Sequence, residues 1–148
     1  MDIYEEFNAD FENILDKDFE DLLEKKGNIH LINEYKKFLN DKELFKDKQE
    51  GLYREIKWSA KRNPHLGTWC GYIHTTIDTS DIEDVVHGGF TAYNGFDCAH
   101  YDDFTPFDIH MIKFSKKNMV LLPKSKIYKD FRFVYNVIQN MINKLLDE

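Results

Sequence analysis

Two imidazoles, a thiol and three carboxylates fall within seventeen consecutive residues: His87-Gly88-Gly89-Phe90-Thr91-Ala92-Tyr93-Asn94-Gly95-Phe96-Asp97-Cys98-Ala99-His100-Tyr101-Asp102-Asp103. Imidazoles and carboxylates are the side chains that general acid–base chemistry uses near neutral pH. Asn94-Gly95 is the preferred pair for a two-residue type I′ turn, because both positions need positive φ. A turn there makes Tyr93 face Phe96, Thr91 face Cys98, Gly89 face His100 and His87 face Asp102. Strand alternation then gathers His87, Cys98, His100 and Asp102 on one side of the hairpin and Asp97 on the other. A bulge at the glycine pair instead moves His87 beside Asp97, and both registers stay open.

From this pattern His87, Asp97 and His100 are the candidate catalytic acid and base groups. Gly88 and Gly89 leave room for a ligand to approach the backbone. Trp69, Tyr72 and Tyr93 offer rings for stacking, and Asp102 is a further ligand-binding candidate. Each residue also has a structural reading. Asp97 could bond a backbone amide, Arg54 or Arg62. The histidines could be satisfied, half-buried groups, and Cys98 is more simply a small core hydrophobe than a nucleophile. Asp102-Asp103 could merely end a strand. Zinc is possible by ligand type, through His87, Cys98, His100 and Asp102, but the spacing matches no zinc finger or HExxH helix. Cys98 and His100 on one strand lie roughly 7 Å apart, too far for a nucleophile and its base. The strand before the hairpin adds Cys70, Tyr72 and His74 on one face, with Trp69, Gly71 and Ile73 on the other. Walker, GxGxxG, GxSxG and kinase motifs are absent.

The flanking sequence supplies the elements that must position these groups. Phe7, Phe11, Ile14, Leu15, Leu22 and Leu23 recur at helical steps, with Gly27-Asn28 as a stop. Leu31, Ile32, Tyr35, Phe38 and Leu39 mark a second helix. Strands are predicted at 67–76, 85–93 and 96–100, with others at 109–114 and 119–122 around a turn at Lys116-Lys117-Asn118. Tyr128, Phe131, Val134, Tyr135, Ile138, Ile142 and Leu145 form the stripe of a C-terminal amphipathic helix. The fold class is therefore α+β, with N-terminal helices, a central mostly antiparallel β-sheet and a C-terminal amphipathic helix. Residues 1–148 read as a single domain, with an acidic helical part over 1–50 and a motif-bearing core over 60–146.

The 148 residues include 27 acids and 20 bases, a net charge of −7. Residues 1–50 alone hold 15 acids and 8 bases, whereas the stretch from Pro106 holds 4 and 8. The acidic balance argues against a general nucleic-acid coat or a binder of anionic membranes. No apolar run reaches the roughly 18 residues of a membrane span. The first residues lack the pattern of a secretory signal. With only two cysteines, a disulfide framework is not expected, and a cytoplasmic protein is the simplest reading.

The motifs Leu66-Gly67-Thr68-Trp69-Cys70-Gly71-Tyr72, His87-Gly88-Gly89-Phe90-Thr91 and Gly95-Phe96-Asp97-Cys98-Ala99-His100 occur in that order. They close with Tyr128-Lys129-Asp130 and an amphipathic helix. This set resembles a small, functionally uncharacterised family of bacteriophages, prophages and some bacteria, whose members carry W-C-G-Y, HGGLT-like and GFDCAH-like strands. The resemblance covers 60–146 and not 1–50. Members often carry a longer insertion after the HGG strand, where this chain turns directly at Asn94-Gly95. It implies a phage or mobile-element setting, hence the host cytoplasm, and no activity. By analogy with phage proteins of this size, the expected partner is a small, nucleotide-derived signal, sequestered or hydrolysed at the His/Asp/Gly site. An alternative is an acidic anti-defence protein that inhibits a host nucleic-acid-binding enzyme, with Asp10, Asp16, Glu20 and Glu24 on the docking face. A metal-dependent hydrolase is another.

Overall fold

The structure is a computed structural model that describes residues 14–114 and 126–147. Its elements run α1 (Lys17–Lys25), α2 (Ile29–Phe45), β1 (Lys48–Tyr53), β2 (Ile56–Arg62), β3 (Trp69–His74), a 3-10 turn (Ser80–Val85), β4 (Gly95–Asp97), α3 (Pro106–Phe114) and α4 (Phe131–Asp147). The α+β class stands.

Helix α1 starts where Asp16 accepts a hydrogen bond from the Phe19 amide, and its first turn carries Asp18 and Glu20 at the positive end of the dipole. It stops at Gly27, which sits at φ 80°. Leu31, Ile32, Tyr35 and Phe38 of α2 pack with Phe19 and Leu23 of α1 and with Ile109 and Ile112 of α3, forming one apolar cluster. Predicted helix positions Phe7 and Phe11, and Asp10 of the expected docking face, lie outside the described residues.

The sheet is antiparallel in the order β1-β2-β3-β4. Trp58 and Ala60 of β2, Trp69 and Ile73 of β3 and Phe96 of β4 point inward. They meet Phe131, Val134, Ile138, Met141 and Ile142 of α4 in a second cluster. A Cβ on Gly71 would come within 2.6 Å of the Phe96 ring, so this glycine lets two strands' side chains interlock. The predicted alternation of β3 is found: Trp69, Gly71 and Ile73 are buried, and Cys70, Tyr72 and His74 occupy the other face. No helix among the described residues is long and apolar enough to cross a membrane.

Several predicted elements are corrected. The β1–β2 hairpin was not anticipated, because its turn is Arg54-Glu55 rather than a glycine pair. Both residues sit at positive φ, 50° and 68°, and Arg54 is tied to Asn143 and Asp147 of α4. The sheet thus begins at Lys48, inside the stretch read as helical. Residues 85–93 are not a strand. Gly88 and Gly89 both adopt positive φ, which breaks an extended run and leaves a 3-10 turn followed by loop. The tight turn falls one residue early: Asn94 is left-handed, Gly95 is not, and Ala92 bridges Gly95 around Tyr93-Asn94. The strand predicted at 96–100 shortens to Gly95–Asp97 and pairs with β3, so Cys70 faces Asp97. Residues 109–114 belong to a helix. Pro106 opens it, and Asp108 accepts a hydrogen bond from the Thr105 amide, a start signal that outweighs β propensity. The strand predicted at 119–122, and the turn before it, lie outside the described residues.

The two clusters meet at a buried polar joint. Asp41 of α2 accepts hydrogen bonds from Trp69 Nε1 at 2.8 Å, Tyr128 Oη at 2.5 Å, Arg62 Nη2 at 3.5 Å and the Phe131 amide at 3.0 Å. The Arg62 guanidinium lies over the Trp69 ring, 4.4 Å from its centroid.

Candidate functional site

A second buried carboxylate, Asp103, organises the motif region. The chain turns after β4, with the Asp103 amide donating to the His100 carbonyl at 2.9 Å. A parallel bridge then ties Asp103 to Ile127, which brings Lys129 alongside. His87 arrives from the opposite side, on the loop after the 3-10 turn, with its ring edge-on to Phe133 of α4 at 5.0 Å.

Asp103 is 1% exposed, while the side chains of His87 and His100 keep 21% and 31%. His87 Nε2 lies 2.8 Å and 3.0 Å from the two Asp103 oxygens. Oδ2 also meets His100 Nδ1 at 3.1 Å and accepts from the His100 amide at 3.0 Å. Lys129 Nζ pairs with Oδ1 at 3.2 Å. The imidazole rings stand edge to face, 5.1 Å apart. Burial pushes the Asp103 carboxyl up. The hydrogen bonds from His87 and the His100 amide, with the nearby charges, outweigh it and hold the group far below the usual carboxylate range. Asp103 is an anion at neutral pH.

The other nitrogen of His100, Nε2, is shielded from solvent and lies 3.4 Å from Asp97 Oδ1. That separation is within ion-pair reach, but its geometry is not a hydrogen bond. His100 therefore stands between two carboxylates. A neutral imidazole carries one N–H and cannot donate to both.

The predicted residues divide into three groups. His87, His100 and Asp97 come together, with Asp103 in the place expected of Asp102. Asp102 is exposed beside the cluster, and its carbonyl accepts from the Ile127 amide. Gly88 lies against the cluster and Gly89 against Glu83, so the space beside both holds the protein's own side chains. A Cβ on Gly88 would lie 2.3 Å from His100 Nε2, and one on Gly89 would lie 3.2 Å from a Glu83 oxygen. Trp69 is fully buried in the joint with Asp41. Tyr72 covers Gly95 on the face of β3 that also carries Cys70. With Tyr93, Asn94 and His74 it lines an open cleft of about 580 Å³. Burial pushes both the Cys70 and Cys98 thiols up, so neither is a ready thiolate. Asp97 uses neither arginine: Arg54 holds Asp147 and Arg62 holds Asp41.

Sequence reasoning missed Asp103 and Lys129. The spacing His100–Asp103 was the available signal, since three residues suit a turn and not a strand face. It also missed the pair Ser59 Oγ–His74 Nε2, 2.8 Å apart on the outer face of the sheet. Comparison with protein-family models, curated proteins and solved structures finds no match.

Proposed function

We propose that the protein binds a small anionic ligand, of nucleotide-derived type, and hydrolyses it at the His87–Asp103–His100 cluster. The observation that carries this reading is the buried, anionic Asp103 holding two half-exposed imidazoles. Burying a carboxylate is costly, and a structural role would be met more cheaply by donors that do not titrate. Lys129 and the imidazoles favour an anion, and the Tyr72–Tyr93 cleft offers aromatic faces for a base. The family resemblance supports a phage or mobile-element setting, in the host cytoplasm.

The test incubates the protein with cyclic nucleotides and ADP-ribose derivatives. Melting shifts and chromatography of the recovered ligand are then read for wild type and His87→Gln. A shift together with conversion that His87→Gln abolishes is expected. A shift with intact ligand would reduce the function to sequestration, and no shift with any compound would overturn the reading.

A second reading rests on the exposed acids Asp18, Asp21 and Glu24 of α1. They could dock a basic surface of a host nucleic-acid-binding enzyme, as an inhibitor. Reversing these charges should then abolish inhibition, while His87→Gln leaves it intact.

A further inference from the structure

We infer that His87, His100 and Asp103 bind one divalent transition-metal ion of the zinc type, held from behind by Asp97. The inference rests on the cluster being the hydrolytic site, and it names what would activate water there.

The donor atoms already converge. His87 Nε2, His100 Nδ1 and an Asp103 oxygen lie within 4.8 Å of one another, with two of the separations at 2.8 Å and 3.1 Å. Ligand bonds of about 2.0–2.1 Å in a tetrahedron put neighbouring donor atoms about 3.3 Å apart. Those two separations need a shift of only a few tenths of an ångström to reach that size. Two imidazole nitrogens with one carboxylate favour zinc, iron or cobalt over magnesium or calcium, which prefer oxygen.

Proton accounting points the same way. Without a metal, His100 faces Asp103 through Nδ1 and Asp97 through Nε2, and only a second ring proton or a metal on Nδ1 satisfies both. With a metal on Nδ1, the single N–H sits on Nε2, 3.4 Å from Asp97 Oδ1. Turned to donate there, it would complete the carboxylate–histidine–metal arrangement that fixes the tautomer and raises ligand basicity. The remaining contacts suit an outer shell. The His100 amide and Lys129 hold the Asp103 oxygens, and Gly88 fits against the His100 ring edge where any side chain would displace it. Three protein ligands leave a coordination position for water, as in catalytic sites and unlike closed structural ones. Bound water of this kind ionises near neutral pH. The Lys129 cation weakens the site relative to the same three ligands alone.

The experiment uses untagged full-length protein, stripped with chelator and dialysed. Titration calorimetry with zinc chloride and the visible spectrum with cobalt chloride are read. One equivalent should bind, and cobalt should give the intense bands of a four-coordinate site. His87→Gln, His100→Gln and Asp103→Asn should each weaken zinc binding at least tenfold, and Asp97→Asn about 10–100-fold. His65→Gln, exposed on the loop between β2 and β3, should change nothing. His87→Gln alters a partly exposed side chain and keeps the test valid if Asp103→Asn fails to fold. Absence of saturable binding, or binding unaffected by His87→Gln and His100→Gln, overturns the inference. Metal binding without turnover would instead overturn the hydrolytic reading alone. Turnover that survives chelation would leave that reading standing without the metal.

Discussion

Asp41 and Asp103 are buried to nearly the same extent, at 3% and 1% exposure. Each carboxylate is ringed by four donor groups. Asp41 meets Arg62, Trp69, Tyr128 and the Phe131 amide. Asp103 meets His87, the amide and ring of His100, and Lys129. The difference lies in what those donors can do besides donate. Arg62, the Trp69 indole and a backbone amide have no acceptor capacity and hold one state across the accessible pH range. An imidazole exchanges its proton, changes tautomer or binds a metal through the same nitrogen. The first carboxylate joins two apolar clusters, while the second sits under rings that reach the surface. Similar burial thus serves a joint in one place and suits reversible chemistry in the other.

The largest effect expected from this contrast is at Asp41. Asp41→Asn turns an amide N–H toward groups of which only the Tyr128 hydroxyl can accept, and leaves the Arg62 charge without its buried partner. The expected loss is about 3–5 kcal/mol of unfolding free energy, read by urea denaturation. Asp103→Asn should cost less, about 1–2 kcal/mol, because either imidazole can switch tautomer and accept from the new amide. Its main effect should fall on ligand or metal binding. Equal losses at the two positions would break the comparison and make Asp103 a second structural joint.

Gly88→Ala sharpens it next. The residue sits at φ 69°, and its Cβ would approach His100 Cε1 to 2.2 Å. Either the ring or the loop must shift. A stability loss of about 1–3 kcal/mol is expected, from backbone strain and overpacking. The cobalt spectrum should change with it. Gly89→Ala meets only the flexible end of Glu83, so it should carry the strain of φ 79° while disturbing the spectrum far less. Equal spectral changes would mean that Gly88 acts through the loop and not through His100.

The asymmetry between the two carboxylates also shows what the sequence reveals. The helices α1, α2 and α4 are legible because each buries an apolar stripe, and helical periodicity records that. Strand β3 is legible from its alternation. The hairpin of β1 and β2 is not, because Arg54-Glu55 carries no turn signal and its strain is held by contacts with α4 about ninety residues away. His87, Asp97 and His100 stand out by residue type. The choice of Asp103 over Asp102 depends on whether the chain after Asp97 continues as a strand or turns, and the pair Gly88-Gly89 suits an opening within a strand as well as a loop. Lys129 reaches the cluster only through the bridge between Asp103 and Ile127, which no local pattern encodes. Trp69, read from its aromatic type as a stacking surface, is drawn into the Asp41 joint by its indole N–H.

The smallest expected effect separates the regions by pH. Burial raises the Tyr128 phenol, Asp41 adds to this, and the nearby Arg62 guanidinium opposes it; the net shift is well above the ordinary value of 10.0. A group whose folded pKa is raised contributes stability below its unfolded pKa and loses it as pH rises. Above about pH 10 the unfolded chain therefore releases a proton from Tyr128 that the folded chain keeps. Stability should then fall by up to about 1.4 kcal/mol per pH unit from this group. Tyr128→Phe should be less stable than wild type at pH 8, since Asp41 and Arg62 each lose a partner. The gap should narrow between pH 10 and 11, because the variant lacks this ionisation. Cys98, raised by burial from 9.0, adds a similar slope to both proteins and cancels in the difference. Urea titrations of the pair at pH 8, 10 and 11 measure it. A gap that stays constant would mean that Tyr128 does not retain its proton in the folded joint, and that the Asp41 region also titrates.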